Sequence, residues 1–149
     1  MPDRLTAADA DVALLTEALA ENVAVIRQAA IAAAQVAGLA PQRVEDVALA
    51  VGEACANVVV HAYGEGRGDV ALFVSESPAE IEFVVRDWGS GLTPRPDSPG
   101  LGLGLPLIVA LADGVRMGGA ESGAHDVCMS FLRDAESPRD GAGPTELDR

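Results

Sequence analysis

The chain has 149 residues, the size of one ordinary domain and enough to bury a real core. Apolar residues make up 49%, much of it alanine, and aromatics only 3%. A formal charge of -13 and a pI near 4.3 exclude a nucleic-acid partner, because no basic stripe exists to displace counterions. Anionic membrane surfaces are disfavoured on the same ground, and no stretch approaches the roughly 20 apolar residues of a membrane span. Met1 to Thr6 lacks the basic and apolar regions of a signal peptide. Cys55 and Cys128 have neither metal spacing nor a disulfide framework and read as small core residues. A cytoplasmic protein is the expectation.

Residues from about Asp9 to Val36 read mostly as helix, with Gly38 as the stop. Overlapping its start, residues 1–20 form an N-terminal segment that periodicity leaves open as helix or edge strand, since Val12 to Thr16 fits either. Pro41 suits the first turn of a second helix, with Glu45 and Asp46 near its positive end. Val44, Val47, Ala48, Val51, Ala54 and Val58 mark its buried stripe, and it is expected to end near Tyr63 and Gly64. Two strands follow, on the alternation of Val70, Leu72 and Val74 and of Ile81, Phe83 and Val85. Leu92 to Pro99 is irregular, Leu103 to Ala112 is an apolar helix, and Val127, Met129 and Phe131 alternate in a last strand. Residues 134–149 are polar, rich in Pro and Gly, and expected to be a disordered acidic tail. The fold class is therefore α+β: a two-layer sandwich of a mixed, mostly antiparallel sheet with helices on one face, its main domain spanning 21–133.

Three polar features interrupt this apolar pattern. Glu53 and Asn57 are one turn apart on a helix, about 6 Å from one another, with His61 continuing the row. A solvated face would look similar, but neighbours Cys55, Ala56, Val58, Val59 and Val60 are apolar or small, so the polar residues are expected to line a pocket. Asp87 keeps the parity of Ile81, Phe83 and Val85, which turns its carboxylate inward at the strand end. A buried carboxylate needs a donor, and the amine of adenine is one that guanine lacks. Gly89 and Gly91 then allow a tight turn, although Asp-Gly turns after strands are common without any ligand. Finally Gly100-Leu101-Gly102-Leu103-Gly104 leads into a helix, where free N–H groups and the helix dipole suit a phosphate. It is neither a P-loop nor a dinucleotide fingerprint.

The order and content of these three elements resemble the GHKL ATPase superfamily, with its Bergerat ATP-binding fold. Glu53 to Asn57 resembles the N box, Asp87 to Gly91 the first glycine box, and Gly100 to Gly104 the second. Within that group, Glu53-x-x-x-Asn57-x-x-x-His61-Ala62-Tyr63 and the compact length resemble the anti-sigma-factor serine kinases of the RsbW type. The resemblance spans roughly Glu21 to Leu132. It implies Glu53 as general base, Asn57 as Mg²⁺ ligand, Asp87 as adenine reader, and Gly89 and Gly91 as the nucleotide floor. Gly100, Leu101, Gly102, Leu103 and Gly104 would form the phosphate cradle, from a lid over about Leu92 to Leu103. It implies ATP and Mg²⁺ as cofactors, a sigma factor and an antagonist protein as partners, and a homodimer.

One departure stands out: where the family often has Gly-Thr before the last strand, this chain reads Gly123-Ala124-His125-Asp126. The threonine contact with the nucleotide site is thereby lost. Two readings of function compete: a serine kinase that also sequesters a sigma factor, and an ATP-binding module that regulates a partner by contact alone. An intact Glu53 favours the kinase, since a pure binder needs no base. A histidine-kinase catalytic domain fits less well, because there is no helical dimerisation segment with a phosphoacceptor histidine.

Overall fold

A computed structural model describes residues 10–89, 101–119 and 123–133, with backbone alone at 101–103. Its elements run β1 (Val12–Glu17), α1 (Ala20–Val36), α2 (Pro41–Asn57), a π-helical turn (Val58–Ala62), β2 (Asp69–Glu76), β3 (Glu80–Asp87), α3 (Leu101–Leu111), β4 (Gly114–Gly119) and β5 (His125–Leu132). The five strands form one sheet in the order β1-β2-β3-β5-β4, and each neighbouring pair is antiparallel. The two-layer α+β arrangement expected from the sequence is present, without the parallel pairing that a mixed sheet would contain.

The inward parity of the strands builds the core. Val70, Leu72, Val74, Ile81, Phe83, Val85, Val127, Met129 and Phe131 all face the helices, and Phe83 meets Phe131 edge to face at 5.8 Å. Across from them, Ala30 and Ala34 of α1 and Ala50 and Ala54 of α2 are fully buried. Their small side chains let the two helices lie close together over the sheet. The end of α1 is a Schellman turn: Leu39 N–H donates to Ala34 and Gly38 N–H to Gln35, with Gly38 at φ 88°.

Several sequence expectations need correction. The helix expected from Asp9 starts only at Ala20, and the ambiguous segment before it is an edge strand. Val12, Leu14 and Thr16 alternate in burial with Ala13 and Leu15, and pairing from Val12 opposite Val74 to Glu17 opposite Asp69 settles the choice. Glu45 and Asp46 lie beyond the first turn of α2, and Asp46 binds Arg43 at 2.7 Å instead of serving the helix end. Strand β4 was not foreseen; three of its six residues are glycine, and most of it is exposed. Gly91, Gly100, the irregular stretch from Leu92 and the tail from Asp134 lie outside the described residues.

On the sheet's other face Arg86 and Asp126 form a bidentate pair at 2.6 and 2.9 Å, with side chains 11% and 5% exposed. The guanidinium also lies 4.8 Å over the ring of Phe73. Such a pair contributes little net stability against an apolar replacement, but removing one member strands the other charge. Arg86→Met is therefore predicted to lower the unfolding free energy by roughly 3–5 kcal/mol. The double variant R86M/D126L should recover most of that loss; urea titration of the two variants checks it.

Candidate functional site

The site is organised by α2 and the π turn that continues it. Asn57 is the last α-helical residue, 4% exposed, with Glu53 half-buried one turn before it. Both side chains meet the first turn of α3. A β-carbon on Gly104 would stand 2.6 Å from Asn57 Nδ2 and 2.8 Å from Glu53 Oε2. Real side chains do not tolerate such contacts, so the bare backbone of Gly104 is what lets α3 rest here. Among the described residues Asn57 Nδ2 is buried without a hydrogen-bond partner, an arrangement that is rare in the absence of a ligand.

The π turn has a second consequence. It carries the Ala62 carbonyl against Gly89, where a β-carbon would collide with it. Single π turns inside helices are concentrated at functional sites, because the wider turn re-aims the groups it carries. The expectation of a straight α-helical row from Glu53 through Asn57 to His61 is corrected accordingly: His61 sits inside the π turn, half-buried. Val60, expected to be buried, is 62% exposed.

Asp87 ends β3 with the inward parity expected for it and is 2% exposed. Its Oδ1 accepts the Gly89 N–H at 2.9 Å. Burial raises its carboxyl above the usual range, as does Asp126; the Gly89 N–H and neighbouring His125 pull it back. The turn beyond it is pinned on both sides. Trp88 N–H donates to the Tyr63 hydroxyl at 2.9 Å, and that hydroxyl donates to the Asp69 carbonyl at 2.5 Å. The Gly89 carbonyl accepts from His125 Nε2 at 3.2 Å. Trp88 itself is 41% exposed.

The structure thus brings Gly104 against Glu53 and Asn57 on α2 and Gly89 against Ala62 of the π extension, with Asp87 bonded to Gly89. Leu101, Gly102 and Leu103 begin α3 beside them. Sequence reasoning used Tyr63 only in the family resemblance and as a helix end, with no role in the site, and it treated His125 only as a departure from pattern. The missing signal was register: His125 faces Asp87 across β3 and β5. Two shallow hollows of about 420 and 410 Å³ run between α1 and α2 and touch the site only at Glu53.

A helix carrying a carboxylate and an amide, a helix start laid on them, and a buried aspartate at a strand end all lie within a segment whose class is an ATPase domain. Residues 16–131 match the family described as the histidine kinase-like ATPase domain. The chain is also similar to the serine-protein kinase RsbW of Bacillus cereus strain AH187, at 33% identity over 130 residues. That match covers 77% of this chain and 78% of the relative. The RsbW proteins of Bacillus thuringiensis strain Al Hakam and Bacillus anthracis strain A0248 match with the same identity and coverage. The chain therefore belongs to the histidine kinase-like ATPases, in their RsbW-type serine-protein kinase group. Among the described residues no helix is long and apolar enough to cross a membrane.

The tight seat of Gly104 makes a direct prediction. Gly104→Ala should drive Glu53 and Asn57 apart, and a displacement near 1 Å in such a site costs roughly 100-fold in rate. ATP turnover should fall by about that factor, while circular dichroism shows an unchanged fold.

Proposed function

We propose that this chain is an ATP-dependent serine protein kinase acting as an anti-sigma factor. It phosphorylates a serine of a small antagonist protein and sequesters a sigma factor, as a cytoplasmic homodimer. The observation that carries this reading is the seat of Gly104, which brings the phosphate-cradle end of α3 onto the Glu53–Asn57 pair.

Recognition begins at Asp87. Its buried carboxylate accepts the exocyclic amine of adenine, where guanine would present a second acceptor. Gly89, with Gly91, shapes the floor beneath the base. Peptide N–H groups from Gly100 to Gly104 hold the phosphates, aided by the dipole of α3. Asn57 would hold Mg²⁺ through its amide oxygen, which faces α3 at 3.1 Å from where a β-carbon on Gly104 would stand. The ion, when bound with phosphate and water oxygens around it, supplies neutralisation of phosphate charge.

In the transfer itself, the serine hydroxyl oxygen attacks the γ-phosphorus and the bond to the β,γ-bridging oxygen breaks, releasing ADP. Glu53 accepts the hydroxyl proton. Positioning and charge do most of the work in such reactions, and the protein needs no covalent step of its own. His61 takes no proton in this scheme.

Glu53→Gln keeps the shape of the site and removes the base. It should abolish phosphotransfer to the antagonist while ATP binding stays near wild type; persisting turnover would remove Glu53 from the role. Incubating the wild type with labelled ATP, Mg²⁺ and candidate antagonists reads this directly, and binding without any transfer would favour the purely regulatory module.

Asp87→Asn separates stability from recognition. Because burial raises the folded-state carboxyl, its ionisation costs stability as pH climbs out of the ordinary carboxylate range. The asparagine variant escapes that cost, so its thermal advantage over wild type should be absent near roughly pH 4 and present near pH 7. Its ATP affinity should nevertheless fall, by about tenfold or more. Wild-type ATP affinity should drop as acid protonates Asp87, and the variant should lose that dependence. Differential scanning calorimetry with ATP and GTP titrations tests both halves.

A further inference from the structure

The Asp87–Gly89 turn is held by two side chains that belong to none of the three motifs. Of its backbone groups, the Trp88 N–H goes to Tyr63, the Gly89 N–H to Asp87 and the Gly89 carbonyl to His125. Tyr63 leaves the π turn and places its ring where any side chain on Gly68 would have to be. Its hydroxyl then bridges Trp88 N–H to the Asp69 carbonyl, tying the end of β3 to the start of β2. His125 approaches from the other side, as the cross-strand neighbour of Asp87 on β5. A carbonyl only accepts, so Nε2 must carry the proton in this bond, which fixes the imidazole tautomer.

We propose that Tyr63 and His125 are positioning residues for nucleotide recognition, clamping the Asp87–Gly89 turn so that the Asp87 carboxylate stands ready for adenine. The inference rests on the ATP-binding reading above and extends it to two residues outside the motifs. Gly89 has little freedom of its own, since its open face is already pressed on the Ala62 carbonyl. With the clamps in place the site needs no reorganisation when the base arrives. Without either, the turn can tilt on the remaining contacts and carry the carboxylate off its mark.

The test uses Tyr63→Phe, His125→Ala and His125→Gln in the full chain. Phenylalanine keeps the ring that fills the space at Gly68, and glutamine keeps an N–H donor of similar reach. Binding of ATP and GTP with Mg²⁺ is measured by calorimetry and by fluorescence of Trp88, the chain's one tryptophan. Y63F and H125A should each weaken ATP by about tenfold, the scale of one net hydrogen bond, and H125Q should recover most of it. The preference for ATP over GTP should shrink in the first two variants, because the discriminating acceptor is what moves. Melting temperatures identify any variant that has simply lost its fold, and H125Q keeps the question open to decision in that event. Wild-type affinity in both Y63F and H125A would overturn the clamp, as would equal losses for ATP and GTP. Failure of the wild type to bind ATP would instead overturn the nucleotide reading itself, before any variant is compared.

Discussion

The site depends on two places where a side chain is missing. At Gly104 the backbone of α3 touches Glu53 and Asn57, and at Gly89 the turn after β3 touches the carbonyl of Ala62. Both contacts fall on one continuous helical run, first α-helical and then π-helical. A β-carbon at Gly89 would push its turn off the Ala62 backbone, and one at Gly104 would displace the Glu53 and Asn57 side chains. Three stretches remote in sequence are thereby held against a common axis, and the axis itself is fixed by the alanine-lined packing of α2 on α1 and the sheet.

That arrangement is bought against stability in two places. Asp87 gives up water for the Gly89 N–H and the proximity of His125, and its carboxyl is correspondingly harder to ionise. Asn57 is buried with an amide nitrogen that nothing satisfies. Elsewhere the same fold wastes little: the buried Arg86 and Asp126 satisfy one another through two bonds. Among the described residues the one unmet buried side-chain group, the Asn57 amide nitrogen, therefore sits where α2 meets α3, a place where a ligand would satisfy it.

Much of this was legible in the sequence. The alternation of β2, β3 and β5 and the stripe of α2 gave the layers, because one buried face leaves a clear period. Gly38 marked the end of α1 for the same local reason. What escaped was set by partners distant in the chain. Val12 to Glu17 is apolar on both parities, so only pairing with β2 decides between strand and helix. Strand β4 carries Gly114, Gly118 and Gly119, and β5 supplies the order its own residues do not. The π turn has no composition signature, and the bond from His125 to Gly89 depends on a register that no single strand encodes. The motifs named the candidate residues; tertiary contact supplied the reason they stand together.

Charge gives the last constraint on how such a site handles a polyanion. The chain carries a net charge of -13, so a nucleotide approaches against the overall field. Among the described residues five of the six arginines are engaged: Arg43 with Asp46 and Asp113, Arg67 with Glu17, Arg86 with Asp126, Arg116 with Glu82, and Arg133 with Glu76. Each of these cations already answers a carboxylate of the protein. In the kinase reading, phosphate charge would be met by the peptide N–H groups and dipole at the start of α3, and by a divalent ion held by Asn57. The close seat of Gly104 places that helix start and that amide side by side, so in the kinase reading the two sources of positive potential would act on the same phosphates.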